Sequence, residues 1–497
     1  MNTKRSTPID ISKSDFIDIG HQLVYDIAEF NSSLGDKPVT AGKTPEEILS
    51  LIGQRNFPDS GQSPSELLSN ATELLFENSL FNGHPKFMGY ITASAAPIGA
   101  LGDLLAATVN PNCGAFTLSP VATEIEKQTI RWLAEFIGVS PNYGGILVSG
   151  GNMANFTAYL AARTAKAPSN FKEDGFLSSS KRMIVYCSKT THTWIEKAAI
   201  LFGHGTKSVK WIDTDSQNRM NLSSLEKAIQ SDLEKRHQPF MVVGTAGDVS
   251  TGAVDDLQGI SNVCKTYNLW FHIDGAYGVP ANILPENEML FKGVKEADSI
   301  AMDPHKWLYS PLEAGCTLVK NPKHLIDTYS SHPEYYNFSN ANSQQNFYEY
   351  GLQNSRGFRA LKVWLMLQQV GRNGYTKMIK EDIDLAKLMF HKAKNHPLLE
   401  AKIQNLSIAT FRYVPKEIPV NTNDRNAYLN KLNETLVTNL QNGGKLFLSN
   451  AIIKDEYCLR ACIVNFRTSE KHIEEIMNII VEEGAKVHKL MSINEIV

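Results

Sequence analysis

Between about residue 140 and residue 320, short apolar runs alternate with amphipathic stretches. This alternation limits the fold more than any other feature of the chain. The run 145–149 precedes a helical pattern from about Asn152 to about Lys166, and 183–187 precedes one that starts near Thr193. The run 208–212 leads to a helix over 223–235, capped by Asn221 or Ser223, and 240–244 leads to a helix over 257–267. Runs 269–273, 299–302 and 316–319 complete the set. Ahead of them, 121–139 carries Ile125, Ile130, Leu133, Phe136 and Ile137 at helical spacing. Short apolar strands joined through helices predict an α/β fold with a mostly parallel sheet covered on both faces.

The flanks read differently. Residues 1–95 are polar and helical in pattern, with breaks over 57–63 and no strand run, so they form an N-terminal helical segment that packs on the rest or on a second subunit. Residues 96–370 form the large domain. A helix is expected over 358–370, and residues 371–497 form a smaller α/β domain with strands near 407–413 and 459–466 and a helix over 469–487. Residues 330–350 read as a long polar loop, and such loops often serve as lids.

Composition narrows the function. Forty-nine Lys+Arg against 52 Asp+Glu give a net charge of −3, which excludes a chain built around nucleic acid or anionic membrane. Hydrophobic residues at 42% exclude a disordered chain. Six scattered cysteines with no C-x-x-C pattern exclude a disulfide framework and a zinc cage. The N-terminus has no apolar signal region, and the low-charge stretch 91–109 is broken by Pro97 and Asp103. The expectation is a cytoplasmic enzyme with a small-molecule substrate.

In an open parallel sheet, ligands bind beyond the carboxyl ends of the strands, and five strand ends carry unusual residues. Gly150, Gly151 and Asn152 open a helix, where backbone N–H groups can hold a phosphate; a plain tight turn reads the same way. His192 follows a strand, as many surface or capping histidines do. The loop 244–252 is rich in Gly and hydroxyl groups. Asp274 ends an apolar run, where a carboxylate needs a partner; an N-cap role, or a metal pair with His272, stays open. Lys306, between His305 and Trp307, can be a desolvated amine or a solvated surface lysine. Together, a phosphate cradle, a carboxylate, an imidazole and an amine are what pyridoxal phosphate needs: anchor, ring-nitrogen partner, stacking group and Schiff-base former.

With those residues in place, the chain resembles the group II pyridoxal-phosphate-dependent decarboxylases, the aromatic amino acid, histidine and glutamate decarboxylase family. The resemblance runs from about His84 to the C-terminus. It rests on His84, Pro85, Phe87 and Tyr90; on Ser119, Pro120, Glu124 and Glu126; on His272, Asp274 and Ala276; on Asp303-Pro304-His305-Lys306-Trp307; on Arg356, Arg359 and Trp364; and on Leu459, Arg460, Arg467 and Thr468. It implies an aminotransferase-like (fold type I) large domain and a homodimer with interface active sites. It also implies roles. Lys306 bears the Schiff base and His305 touches the phosphate. Gly150, Gly151 and Asn152 hold phosphate oxygens, and His192 stacks on the ring. Asp274 pairs with the ring nitrogen and Ala276 packs beneath it. Tyr90 and Ile91 face the substrate.

The chain departs from the family in three places. Val249, beside Ser250, stands where many members have Thr. Ile91 stands where aromatic-substrate members often have Phe. The loop position usually held by Tyr falls on Phe347, with Tyr348 adjacent. Tyr348 is taken as the proton donor to Cα and Phe347 as a substrate contact. The reading is an L-amino acid decarboxylase, a carboxy-lyase that releases CO₂ and the amine. Its rivals are an aldehyde synthase or carbon–carbon lyase on the same fold, a non-catalytic binding protein, and a metal hydrolase using His272, Asp274 and His305.

Overall fold

The computed structural model describes residues 7–331, 344–418 and 424–494. Seven strands form the larger sheet: β2 (Gly144–Val148), β3 (Met183–Ser188), β4 (Val209–Ile212), β5 (Gln238–Thr245), β6 (Trp270–Asp274), β7 (Ser299–Met302) and β8 (Gly315–Val319). Their order is β2-β8-β7-β6-β5-β3-β4, and β8 alone runs antiparallel to its neighbours. The carboxyl ends of the other six therefore share one edge. Almost every residue of β3, β6, β7 and β8 is buried, as an apolar strand under helices on both faces must be.

Four helices precede this sheet: α1 (Lys13–Ser33), α2 (Pro45–Ile52), α3 (Pro64–Asn78) and α4 (Pro97–Val109). Then come α5 (Pro120–Phe136), α6 (Gly151–Lys166), the single turn α7 (Phe171–Asp174), α8 (Trp194–Leu201), α9 (Leu222–Glu234), α10 (Leu257–Tyr267) and α11 (Lys323–Tyr329). The helix α12 (Arg359–Asn395) runs on past the expected end at 370, with a break at Gly371, whose φ of 64° lies in the left-handed region. Its first part packs on α4 and α5 and its second on the smaller sheet.

The smaller sheet has the order β1-β11-β12-β10-β9, from β1 (Phe87–Met88), β9 (Leu399–Asn405), β10 (Ile408–Tyr413), β11 (Phe447–Ile453) and β12 (Glu456–Cys462). It is backed by α13 (Arg425–Asn442) and α14 (Glu470–Asn494), around a separate core that includes Phe411, Leu432, Leu459 and Ile476.

Three expectations need correction. The first 95 residues do hold a strand: β1 is only two residues long, too short for a period-2 signal, and it pairs in parallel with β11. The strand expected over 459–466 ends at Cys462, because Asn465 turns the chain: its Nδ2 donates to the His84 carbonyl and its own carbonyl accepts from Thr468. Finally, β9, β11 and α13 are additions to the expected elements of the smaller domain.

The free edge of the larger sheet bears directly on the site. β2 pairs only with β8, so outward backbone groups need partners. The Leu147 N–H donates to Glu126 Oε1 (3.0 Å), and the Leu147 carbonyl accepts from Arg356 Nη2 (2.7 Å). Glu126 and Arg356 form a two-pronged pair at 2.5 and 3.0 Å, each about 1% exposed. The pair thereby completes the edge two residues before Ser149.

Candidate active site

The strand ends gather around a cleft of about 470 Å³. Its floor is Lys306 and Asp274, one wall is Gly150–Asn152, another is His192, and Tyr90, Ile91 and Val249 stand at its rim.

Close backbone packing builds the wall at the start of α6. A Cβ on Gly151 would lie 2.7 Å from Asp303 Oδ2, and one on Gly150 would lie 3.0 Å from His305 Cε1. Gly315 of β8 sits against Gly150, where an added Cβ would approach the Gly150 backbone to 2.6 Å. No side chain fits at these contacts, so the first N–H groups of α6 remain open toward the cleft. His305 is fixed beside them. Its Nδ1 accepts from the Ala314 N–H (3.0 Å), and its own N–H donates to the Ala314 carbonyl (3.2 Å). Burial lowers its pKa, against the opposing pull of Asp303, and favours the neutral ring.

The charged centre is compact. Lys306 Nζ lies 3.1 Å from Asp303 Oδ2, and His305 Nε2 lies 3.6 Å from the same atom. Asp303 Oδ1 is buried with no hydrogen-bond partner among the described residues. Asp274 ends β6 nearly buried; its Oδ2 accepts from Trp194 Nε1 at 2.7 Å and its Oδ1 from the Ala276 N–H at 3.3 Å. The Trp194 N–H donates to His192 Nδ1 (3.3 Å), which leaves the proton of the neutral ring on Nε2. Burial lowers the His192 pKa, opposed by Asp274. Thr245 Oγ1, on the floor, joins Thr191 Oγ1 at 3.2 Å.

His272 does not reach the cleft. Its ring is held between Asn155 Oδ1 (2.7 Å) and Ser299 Oγ (2.8 Å), and burial pushes its pKa down to about 4. With both nitrogens engaged there and Asp274 held by Trp194, the two residues are not built as a ligand pair.

Lys306, Asp274, Ala276, His192, Gly150, Gly151, Asn152, Tyr90 and Ile91 all line the cleft, and His305 backs it. Phe347 and Tyr348 do not line it. The Phe347 ring is fully buried under the Arg356 guanidinium, 4.9 Å from centroid to carbon, and the Tyr348 N–H donates to the Gly114 carbonyl (3.0 Å). Within one chain, neither is positioned as the expected proton donor or substrate contact. Most of the expected lid, residues 332–343, lies outside the described residues.

Four contributors carried no assigned role at the sequence level. Trp194 has its partner 80 residues away at Asp274, while Asp303 lies within three residues of His305 and Lys306, in the same strand-end motif. Tyr277 borders the cleft and is tied by its hydroxyl to Ser407 Oγ at 2.6 Å. Arg460, buried in β12, donates to the Tyr90 carbonyl (2.7 Å) and so holds the rim, where Tyr90 itself has a left-handed φ of 50°.

The residues present fit pyridoxal phosphate. The glycine wall and His305 leave an anion cradle, Lys306 supplies the amine, and Asp274 supplies a buried carboxylate. The unpartnered Asp303 oxygen keeps the amine end polar.

Comparison with known proteins agrees with this geometry. The family profile described as "Pyridoxal-dependent decarboxylase conserved domain" matches residues 45–413. An aromatic-L-amino-acid decarboxylase of Bacillus atrophaeus is 32% identical over 95% of this chain and 96% of its own length. A phenylacetaldehyde synthase of a Rosa hybrid cultivar is 28% identical over 96% of this chain and 95% of its own. The structure of Oryza sativa TDC with PLP and tryptamine superposes with a TM-score of 0.90, at 22% identity, over 97% of this chain and 100% of that one, a likeness of fold.

Proposed function

The chain belongs to the pyridoxal-dependent decarboxylase family and is a pyridoxal-phosphate-dependent amino acid decarboxylase, and from that premise we propose that its substrates are aromatic L-amino acids and its product is the amine. The observation that carries the reading is the meeting of Lys306, Asp303, Asp274 and the glycine cradle in one cleft.

When bound, pyridoxal phosphate supplies an electron-accepting ring that makes loss of the carboxylate from Cα possible. The chain does the rest. Gly150, Gly151, Asn152 and His305 bind the phosphate. Lys306 Nζ, held 3.1 Å from Asp303 Oδ2, would hold the cofactor through its amine. Asp274, oriented by Trp194, holds a proton at the ring nitrogen. His192 covers the ring face, and Ala276 packs beneath it. The residues that line the cleft would bind and orient the substrate so that its carboxylate is the group lost.

The rim supports an aromatic side chain. Tyr90 and Val249 present accessible apolar surface, 59% and 42% exposed, and Ile91 lies beside them. Among the described lining residues, the cationic side chain is Lys306, with His192 the one imidazole, so an acidic substrate side chain would find no dedicated partner. The Bacillus atrophaeus relative supports the same class.

We also propose a homodimer. α1, α2 and α3 bury no residue, while Phe16, Tyr25, Leu49, Ile52 and Leu75 stay exposed. A second copy is the natural cover for such faces. A cytoplasmic location fits six free cysteines; among the described residues, no helix is long and apolar enough to cross a membrane.

The test is CO₂ release from the L-amino acids with cofactor added. Release from Tyr, Phe or Trp with the matching amine is expected. Release from Glu or His, with none from the aromatic set, would overturn the substrate assignment.

A further inference from the structure

We infer that Asp382 is a positioning residue for Lys306, a buried carboxylate of α12 that clamps the turn bearing the lysine. This rests on the reading that Lys306 holds the cofactor. Asp382 lies beyond the Gly371 break in α12 and is 3% exposed. Its Oδ2 accepts from Trp307 Nε1 at 2.9 Å and from the Tyr309 hydroxyl at 2.6 Å. These two donors stand one and three residues after Lys306. The turn between them is closed by backbone bonds, Lys306 N–H to the Asp303 carbonyl (2.9 Å) and Tyr309 N–H to the Lys306 carbonyl (3.1 Å).

Two features imply that the clamp acts on the lysine rather than filling space. First, Tyr309 has φ of 60°, a left-handed conformation that a bulky residue adopts only when its surroundings over-determine it. Its hydroxyl bond to Asp382 is the polar restraint on that side chain. Second, Asp382 is a buried carboxylate with no ion-pair partner among the described residues, so its desolvation is offset by hydrogen bonds alone. Trp307 passes the restraint onward. It stacks on Tyr277, with ring centroids 5.0 Å apart at 14°, and Tyr277 lines the cleft. Removing the carboxylate would free the turn that follows Lys306, and Asp382 itself touches no residue that lines the cleft.

The groups facing Asp382 come from several elements: Tyr309, Glu381 beside it, the Asn465 backbone N–H, and Cys462 of β12. Burial pushes its pKa up to about 7, with the bonds from Tyr309 and Trp307 opposing that rise. The strength of the clamp therefore changes near neutrality, the ionised form being the stronger acceptor.

The experiment uses the full-length protein with tryptophan side chains ¹⁵N-labelled; six indoles give few resonances, and Trp307→Phe assigns one. In the cofactor-free protein, the Trp307 indole N–H should titrate near neutrality, and Asp382→Asn should abolish that titration. In the loaded protein, Asp382→Asn should lower kcat about 10-fold or more with KM nearly unchanged, and should shift the pH midpoint of the cofactor's visible band. Tyr309→Phe, which removes one of the two bonds, should give a smaller change in the same direction; it carries the test if Asp382→Asn does not fold. A Trp307 resonance altered by Asp382→Asn, together with wild-type kcat and band midpoint, would overturn the inference. Borohydride fixation of the cofactor to a lysine other than Lys306 would instead overturn the reading beneath it, and the cofactor-free titration would be unaffected.

Discussion

Asp274 sits at the end of an apolar strand, where a carboxylate survives only with donors at hand. Trp194 supplies the close one, at 2.7 Å, from the start of α8. This geometry fixes one oxygen and leaves the other to the weaker 3.3 Å contact with Ala276 and to the cleft. If that oxygen holds the cofactor's ring proton, Asp274→Asn should fold and keep bound cofactor, read by visible absorbance. Turnover should fall about 10²-fold, which corresponds to about 2.7 kcal/mol of transition-state stabilisation. Near-normal turnover in the loaded variant would remove Asp274 from the mechanism. The same scale explains why glycine occupies 150 and 151. There the chain backbone, Asp303 and His305 meet too closely for a methyl group, and the cradle depends on that closeness.

At the scale of elements, β2 delivers the chain into the cradle while exposing a sheet edge. Glu126 of α5 and Arg356, three residues before α12, close that edge at Leu147, and Arg356 Nη1 also donates to the Cys113 carbonyl (2.9 Å). One buried ion pair thus joins a strand, a helix and two loops. Removing one member strands the other's charge, at a cost of about 3–5 kcal/mol. Glu126→Gln should therefore lower the melting temperature markedly and weaken cofactor binding, because the strand leading to Gly150 loses its lateral support. Replacing both residues by Met should cost less than either single change. A thermal shift in which the double variant is the least stable would show that the pair does not act as a unit.

Over the whole molecule, two cores meet along α12, and the cleft lies where strands of the larger sheet face Arg460 of β12 and Ser407 of the turn between β9 and β10. Stability carries a pH signature from His204, stacked on Phe240 at 5.5 Å. Both its ring nitrogens are buried without partners among the described residues, and burial pushes its pKa from 6.5 down to about 3. A lowered pKa means the folded protein resists a proton that the unfolded chain accepts. Its contribution is whole above pH 6.5 and drains as pH falls toward 3, by up to about 1.4 kcal/mol per unit. His204→Phe should melt higher than wild type at pH 7.5, with a gap that widens at pH 5. Parallel melting curves at the two pH values would refute this. The assembly is tested at the same scale: sedimentation should give twice the 55.2 kDa chain mass, and polar substitutions at Phe16 and Tyr25 should yield monomers. A wild-type monomer at micromolar concentration would remove the second copy from the picture.

The sequence by itself determined the larger sheet and its reactive edge. The strand over 299–302 and the helix over 257–267 coincide with β7 and α10, because a buried parallel strand must be apolar throughout and its crossover helix must be amphipathic. Lys306, Asp274, His192 and the two glycines were legible because strand ends are the places where such residues are out of pattern. The smaller domain was less legible: β9 alternates Leu399, Ala401 and Ile403 with Glu400, Lys402 and Gln404 over only 7 residues directly after a long helix, and β1 is too short to have a period. Tertiary structure alone decided the partnerships. Trp194 lies 80 residues from Asp274, Glu126 lies 230 from Arg356, and Asp382 lies 75 from Trp307. It also placed the Phe347 ring, read as a substrate contact by counting along a loop, beneath Arg356 of its own chain. Spacing along a chain reports which face of a strand or helix a residue occupies. It carries no signal for hydrogen bonds closed across such separations, because those depend on where folding brings the segments together.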